Sequence, residues 1–161
     1  MEKSQYKLCV DVLKRLDKAG VLDQFVLIGS WCTVFYKDYF SDIDYQVILK
    51  TRDLDVLIPY PRKLHTKTHI ADLIKDLGFV VARKGPKGII KFEHPELTIE
   101  FLVPEIGRGS DEPLFLPLLG VNAERLRFLN FIYDNTITVK LDNVEFRVPH
   151  PVNFALHKLI I

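Results

Sequence analysis

The segment Thr51-Arg52-Asp53-Leu54-Asp55-Val56-Leu57-Ile58-Pro59 places two aspartates two residues apart in an otherwise apolar run. On a strand, where successive side chains point to opposite faces, Asp53 and Asp55 share a face and could share one divalent cation. Upstream, the apolar run Phe25-Val26-Leu27-Ile28 ends in Gly29-Ser30. Glycine there lets a backbone turn come close to a ligand, and a serine opening a helix adds N–H donors and a hydroxyl suited to a phosphate. Downstream, Glu100 is a lone acid in an apolar strand pattern and could supply a third ligand. Like charges on one face of a mostly apolar strand are costly without a cation, and three acids suit one or two Mg²⁺ or Mn²⁺ ions. Metals held there would neutralise a nucleoside triphosphate and lower the pKa of an attacking hydroxyl, whose proton one carboxylate can accept.

A second acidic pair competes for this role. Ser41-Asp42-Ile43-Asp44 also follows Gly29-Ser30 and precedes an apolar run. Spacing from the Gly-Ser favours this earlier pair. The residues that follow favour the later one, because Asp44 leads into Tyr45-Gln46-Val47 whereas Asp55 leads into Val56-Leu57-Ile58-Pro59, a cleaner buried strand with a defined stop. Asp53 and Asp55 are therefore the preferred pair, and spacing alone leaves Asp42 and Asp44 open.

The elements that must position these residues can be read from periodicity and turn chemistry. Ser4 can cap a first helix with Tyr6, Cys9, Val10, Leu13 and Leu16 at helical spacing, ended by Gly20. A short buried strand over 25–28 then feeds a helix through Trp31, Val34, Phe35 and Phe40. The strand over 53–58 is closed by Pro59 and Pro61. A helix over 68–77 stops at Gly78 before a strand at 79–81. Segments 88–92 and 97–103 form a hairpin turning at His94-Pro95, with Thr98, Glu100 and Leu102 on one face. Residues 107–113 read as a loop, 122–133 as a helix, and 136–141 with 144–148 as a second hairpin joined at Asp142-Asn143. A final helix begins at His150-Pro151 and stops in mid-pattern, so that either residues are missing or the end packs on a partner.

Composition narrows the classes. The chain of 161 residues has 22 Lys and Arg against 21 Asp and Glu, so any nucleic-acid-binding patch must be local. Cys9 and Cys32 lie in apolar helical patterns and read as buried free thiols. The apolar runs are too short for a membrane span and the polar N-terminus lacks a signal-peptide core, which places the protein in the cytoplasm away from membranes. His65 and His69 stand four apart but have no further ligand at zinc spacing. Gly107-Arg108-Gly109-Ser110 lacks the Lys-Ser/Thr of a phosphate-binding loop, and no serine sits in a nucleophile elbow. Arg52 points away from Asp53 on a strand and reads as a structural partner, and Arg108 as a solvated loop residue with a weaker case for capping a substrate.

Gly29-Ser30-Trp31-Cys32, Phe35-Tyr36, the Asp53/Asp55 segment, Glu100-Phe101-Leu102-Val103-Pro104 and the segment from His150-Pro151 to Leu159 together resemble prokaryotic nucleotidyltransferase-like proteins of the DNA polymerase beta superfamily. The resemblance spans nearly the whole chain. It implies an α/β or α+β fold, a mixed sheet flanked by helices with an added C-terminal hairpin and helix, in one domain over 1–161. It also implies that Gly29 and Ser30 hold the triphosphate, that Asp53, Asp55 and Glu100 bind metal, and that Lys158 on the final helix reaches a phosphate. The separation from Gly29 to Asp53 exceeds that of the minimal members, which an insertion over 40–50 would explain. The implied activity is metal-dependent transfer of a nucleotidyl group from a nucleoside triphosphate to a hydroxyl on a small molecule, protein or RNA. Alternatives are a non-catalytic nucleotide-binding module that retains the fold, or the toxin of a toxin–antitoxin pair.

Overall fold

The computed structural model describes residues 3–37, 39–41, 51–62, 64–109 and 112–160. Asp42, Asp44 and the run over 45–49 lie outside the described residues. In chain order the elements are α1 (Lys3–Lys18), β1 (Val26–Ile28), α2 (Cys32–Phe35), β2 (Asp53–Leu57), α3 (Ile70–Ile74), β3 (Val80–Lys84), β4 (Ile89–Glu93), β5 (Thr98–Pro104), β6 (Leu114–Leu116), β7 (Val121–Leu126), α4 (Leu129–Tyr133), β8 (Thr136–Leu141), β9 (Val144–Pro149) and α5 (Pro151–Ile160). The strands form one open mixed sheet in the order β3-β4-β5-β2-β1-β9-β8, with β7 added to β5 and β6 to β7. This is an α+β fold.

The two faces of the sheet differ in chemistry because the strand period sorts their residues. Leu54, Val56, Phe92, Ile99 and Phe101 point to one side and pack with Cys9, Leu13 and Leu16 of α1 and Ile70 and Ile74 of α3. That cluster is the main core. On the other side, Val26, Ile28, Leu57 and Leu102 are covered by Leu129 and Ile132 of α4. The acids of β2 and β5 share this second face with them, beyond the region those apolar residues occupy. Helix α5 packs on α4, and the Asn153 side-chain amide donates to the Phe131 carbonyl at 3.3 Å.

Two sequence expectations need correction, and one strand was not foreseen. The helix expected from Ser30 through Phe40 is a single turn, Cys32–Phe35. The turn and its C-cap are held against β9: Phe35 meets Phe146 edge-on at 4.9 Å between centroids, and the Tyr36 hydroxyl donates to the Pro149 carbonyl at 2.7 Å. The helix expected over 122–133 begins only at Leu129, and its first part is strand β7. There Val121 and Ala123 are buried in alternation, and β7 pairs in parallel with β5 through Leu102 and Glu124. Ladder bonds to β5 outweigh the helix preference of Ala123, Glu124, Arg125 and Leu126. Strand β6, paired with β7, was not anticipated.

Other expectations match. Asp142 and Asn143 close the β8–β9 hairpin with φ of 46° and 67°, the positive values that a two-residue hairpin turn requires. Cys9 and Cys32 are buried free thiols, and burial pushes both well above the usual thiol range. Among the described residues no helix is long and apolar enough to cross a membrane.

Candidate active site

Strand register brings the sequence-selected acids onto one surface. Asp55 pairs with Ile28 of β1 on one side and with Glu100 of β5 on the other. Glu100 in turn pairs with Lys91 of β4. Residues opposite each other on neighbouring strands project to the same face, so Ile28, Asp55, Glu100 and Lys91 form a row across the sheet. Asp53, Thr98 and Glu93 form the adjacent row. Asp53 lies at the exposed start of β2, where its backbone N–H donates to the Thr51 hydroxyl at 3.0 Å and its carboxylate accepts from that hydroxyl at 2.9 Å.

Burial raises the Asp55 pKa to about 7, and the nearby Glu100 and Asp53 add to the rise. A carboxylate this far from its ordinary value marks a buried acid with like charges beside it. The charges that pull the other way are Lys158 and Lys91. Lys158 stands exposed on α5, so the last helix does bring it within electrostatic reach of the acids. Lys158→Met is expected to move the Asp55 midpoint further above its wild-type position, because a stabilising cation is lost. Carboxyl ¹³C NMR titration checks this, and an unmoved midpoint would place Lys158 outside the site.

Gly29 sits where β1 meets α2, with φ +77°. A Cβ built on it would lie 2.0 Å from Asp55 Oδ2 and 3.0 Å from its Cγ. Glycine is thus required twice, by the left-handed backbone and by the Asp55 carboxylate lying against it. The neighbour that fills the space is Asp55, where the sequence suggested a ligand. Ser30 is exposed beside it and its carbonyl accepts from the Thr33 hydroxyl at 2.7 Å. The first amide bonded within the turn is that of Cys32, to the Gly29 carbonyl at 3.1 Å, so the amides of Ser30 and Trp31 precede the bonded series.

The remaining candidates separate from this surface. The Arg52 guanidinium donates to the Pro95 carbonyl at 2.6 Å, pinning the β4–β5 turn to the start of β2. Arg108 is exposed in its glycine turn. The His69 ring lies against Gly120, and His65 uses its backbone N–H to reach Gln24. A cavity of about 570 Å³ lies elsewhere, lined by Tyr6, Phe35 and Phe146 with Lys3, Lys37 and Lys140. Among the described residues that line it, the one acid is Asp142, which is paired with Lys14. Among the described residues that cavity brings no unpaired carboxylate to its wall, whereas the open row has Asp55 beside Glu100.

Lys91 is the site residue that the sequence reading missed. Its ammonium contacts Glu100 Oε1 at 2.5 Å. The signal was present, since a hairpin that pairs Glu93 with Thr98 must also pair Lys91 with Glu100. Glu100 is therefore engaged on its β4 side, and among the described residues no three acidic, histidine or cysteine side chains converge as a ready metal cage. Asp53 and Asp55 have the donor chemistry for a hard divalent cation, and Glu100 lies in the same row, one strand away from Asp55.

A family model described as a nucleotidyltransferase matches residues 7–161. Comparison with curated proteins and with solved structures gives no match.

Proposed function

The chain belongs to that nucleotidyltransferase family, and we propose that it moves a nucleotidyl group from a nucleoside triphosphate to an acceptor hydroxyl on a small molecule, a protein or RNA. The observation that supports this most is the Asp55 carboxylate. It rests against the Gly29 turn, in a row with Glu100, with its pKa raised to about 7 by burial and neighbouring acids. Asp53, Asp55 and Glu100 would hold Mg²⁺ or Mn²⁺. When bound, the cation supplies charge neutralisation of the triphosphate and a lower pKa for the acceptor hydroxyl.

The chain's own groups account for the rest of the chemistry. The Gly29-Ser30 turn presents amides and a hydroxyl to the phosphates, and Lys158 adds positive charge from α5. The acceptor oxygen bonds to the α-phosphorus as the bond to pyrophosphate breaks, and a carboxylate of the row takes the hydroxyl proton. Pyrophosphate leaves with the electron pair of the broken bond.

A second reading is favoured by one observation, the engagement of Glu100 by Lys91, with no ready three-acid cage among the described residues. It is a nucleotide-binding module without turnover. Incubation with α-labelled nucleoside triphosphates, Mg²⁺ and total RNA or total protein separates the two. Label attached covalently to an acceptor by the wild type and not by Asp53→Asn supports transfer. Triphosphate binding with no labelled product supports the module.

A further inference from the structure

The Lys91–Glu100 pair lies inside the acid row. Asp55 and Glu100 are cross-strand partners on β2 and β5 and project to one face, so the two carboxylates repel when both are ionised. Lys91, the cross-strand neighbour of Glu100 on β4, is the cation that pairs with its carboxylate. Its side chain is 26% exposed and that of Glu100 16%, so the pair is partly open to solvent. A lysine ammonium is a compact point charge on a flexible four-carbon stem with three donors, able to exchange one oxygen partner for another.

We propose that Lys91 is a displaceable counter-ion: it holds Glu100 while Asp53 and Asp55 carry no cation, and once Glu100 turns to a cation it is free to bind the triphosphate's phosphate oxygens. This inference rests on the metal-dependent reading above. Formal charge supports it. With the acids ionised, Asp53, Asp55 and Glu100 carry three negative charges against the positive charges of Lys91 and Lys158, so an arriving triphosphate meets net repulsion. A divalent cation reverses that sign and makes the Lys91 charge available to an anion. Metal and triphosphate would then bind with positive coupling, and Lys91 would carry part of it.

The test is Mn²⁺ binding to the full chain followed by electron paramagnetic resonance, with binding of a non-hydrolysable triphosphate measured with and without Mn²⁺. Lys91→Met is expected to bind Mn²⁺ several-fold more tightly than wild type, because nothing then competes for Glu100. It should bind the triphosphate about tenfold more weakly when Mn²⁺ is present, the equivalent of about 1.4 kcal/mol. Glu100→Gln should do the reverse, weakening Mn²⁺ binding and strengthening metal-free triphosphate binding as Lys91 is released. Glu100→Gln also carries the test should Lys91→Met fail to fold, and metal-free triphosphate binding unchanged by it would overturn the proposal. Mn²⁺ binding to Lys91→Met that equals or falls below wild type overturns the counter-ion role alone. A wild type that binds no Mn²⁺ overturns the metal-dependent reading and this inference together.

Discussion

Asp55→Asn is expected to lower nucleotidyl transfer by about three orders of magnitude, the scale of a lost electrostatic stabiliser, while making the protein more stable above neutral pH. The two effects have one cause. Asp55 is partly buried beside Glu100 and Asp53, and its pKa stands at about 7 against an ordinary 3.8. Below 3.8 the carboxyl is protonated in both folded and unfolded chains, and Asp55 has no pH-dependent cost. Between 3.8 and about 7 the unfolded chain releases the proton while the folded chain keeps it, so stability falls as pH rises. The slope for one such group is about 1.4 kcal/mol per pH unit. Above that window the cost is constant. Asparagine removes the charge and so removes the cost. The stability difference between variant and wild type should therefore grow with pH across the window and then level off. Urea denaturation at several pH values measures it, and a difference with no pH trend would show that Asp55 is not the strained carboxylate of the site.

Gly29→Ala is expected to be costly for stability and for metal binding together. The left-handed φ alone costs a non-glycine residue about 1–2 kcal/mol. The added Cβ, 2.0 Å from Asp55 Oδ2, must also displace that carboxylate, and overpacking of this kind costs a further 1–3 kcal/mol or about that. A double-mutant cycle separates the two parts. In an Asp55→Ala background the contacts with Oδ2 and Cγ are gone and only a Cβ at 3.3 Å remains, so Gly29→Ala should then cost little more than the backbone part. Equal costs in both backgrounds would mean that the Cβ meets something other than Asp55. Ser30→Ala, at an exposed position with no such clash, should leave stability nearly unchanged and weaken triphosphate binding mildly.

The period of the β2 segment made its strand legible from sequence, and with it the shared face of Asp53 and Asp55. The hairpin at Asp142-Asn143 was legible because its turn residues carry the backbone requirement. Placement of Glu100 beside Asp55 was legible only as a possibility, since parallel register between β2 and β5 is set by distant packing and not by any local signal. The same limit explains β7. Val121 and Ala123 alternate as a strand should, but the neighbouring Glu124, Arg125 and Leu126 suit a helix equally well, and only the exposed flank of β5 decides between them. The short α2 was misjudged for a related reason: Trp31 with Phe35 and Tyr36 with Phe40 do meet as i,i+4 ring pairs, as helical spacing predicts, yet the regular helix spans only Cys32–Phe35. Lys91 went unnoticed because a lysine alternating with apolar residues reads as a solvated position until its partner is counted across the turn. The close approach of Gly29 to Asp55 could not be read locally, because it arises from antiparallel pairing of β1 with a strand well downstream.

The central claim is that Asp53 and Asp55, and not Asp42 and Asp44, hold the divalent cation beside the Gly29 turn. Titration of Mn²⁺ into the wild type, Asp53→Asn and Asp42→Asn, followed by electron paramagnetic resonance and matched for folded fraction, tests it most directly. The expected result is binding to the wild type, at least about tenfold weaker binding to Asp53→Asn, a loss of about 1.4 kcal/mol, and unchanged binding to Asp42→Asn. Binding that survives Asp53→Asn and disappears with Asp42→Asn would contradict the claim and move the metal to the earlier pair.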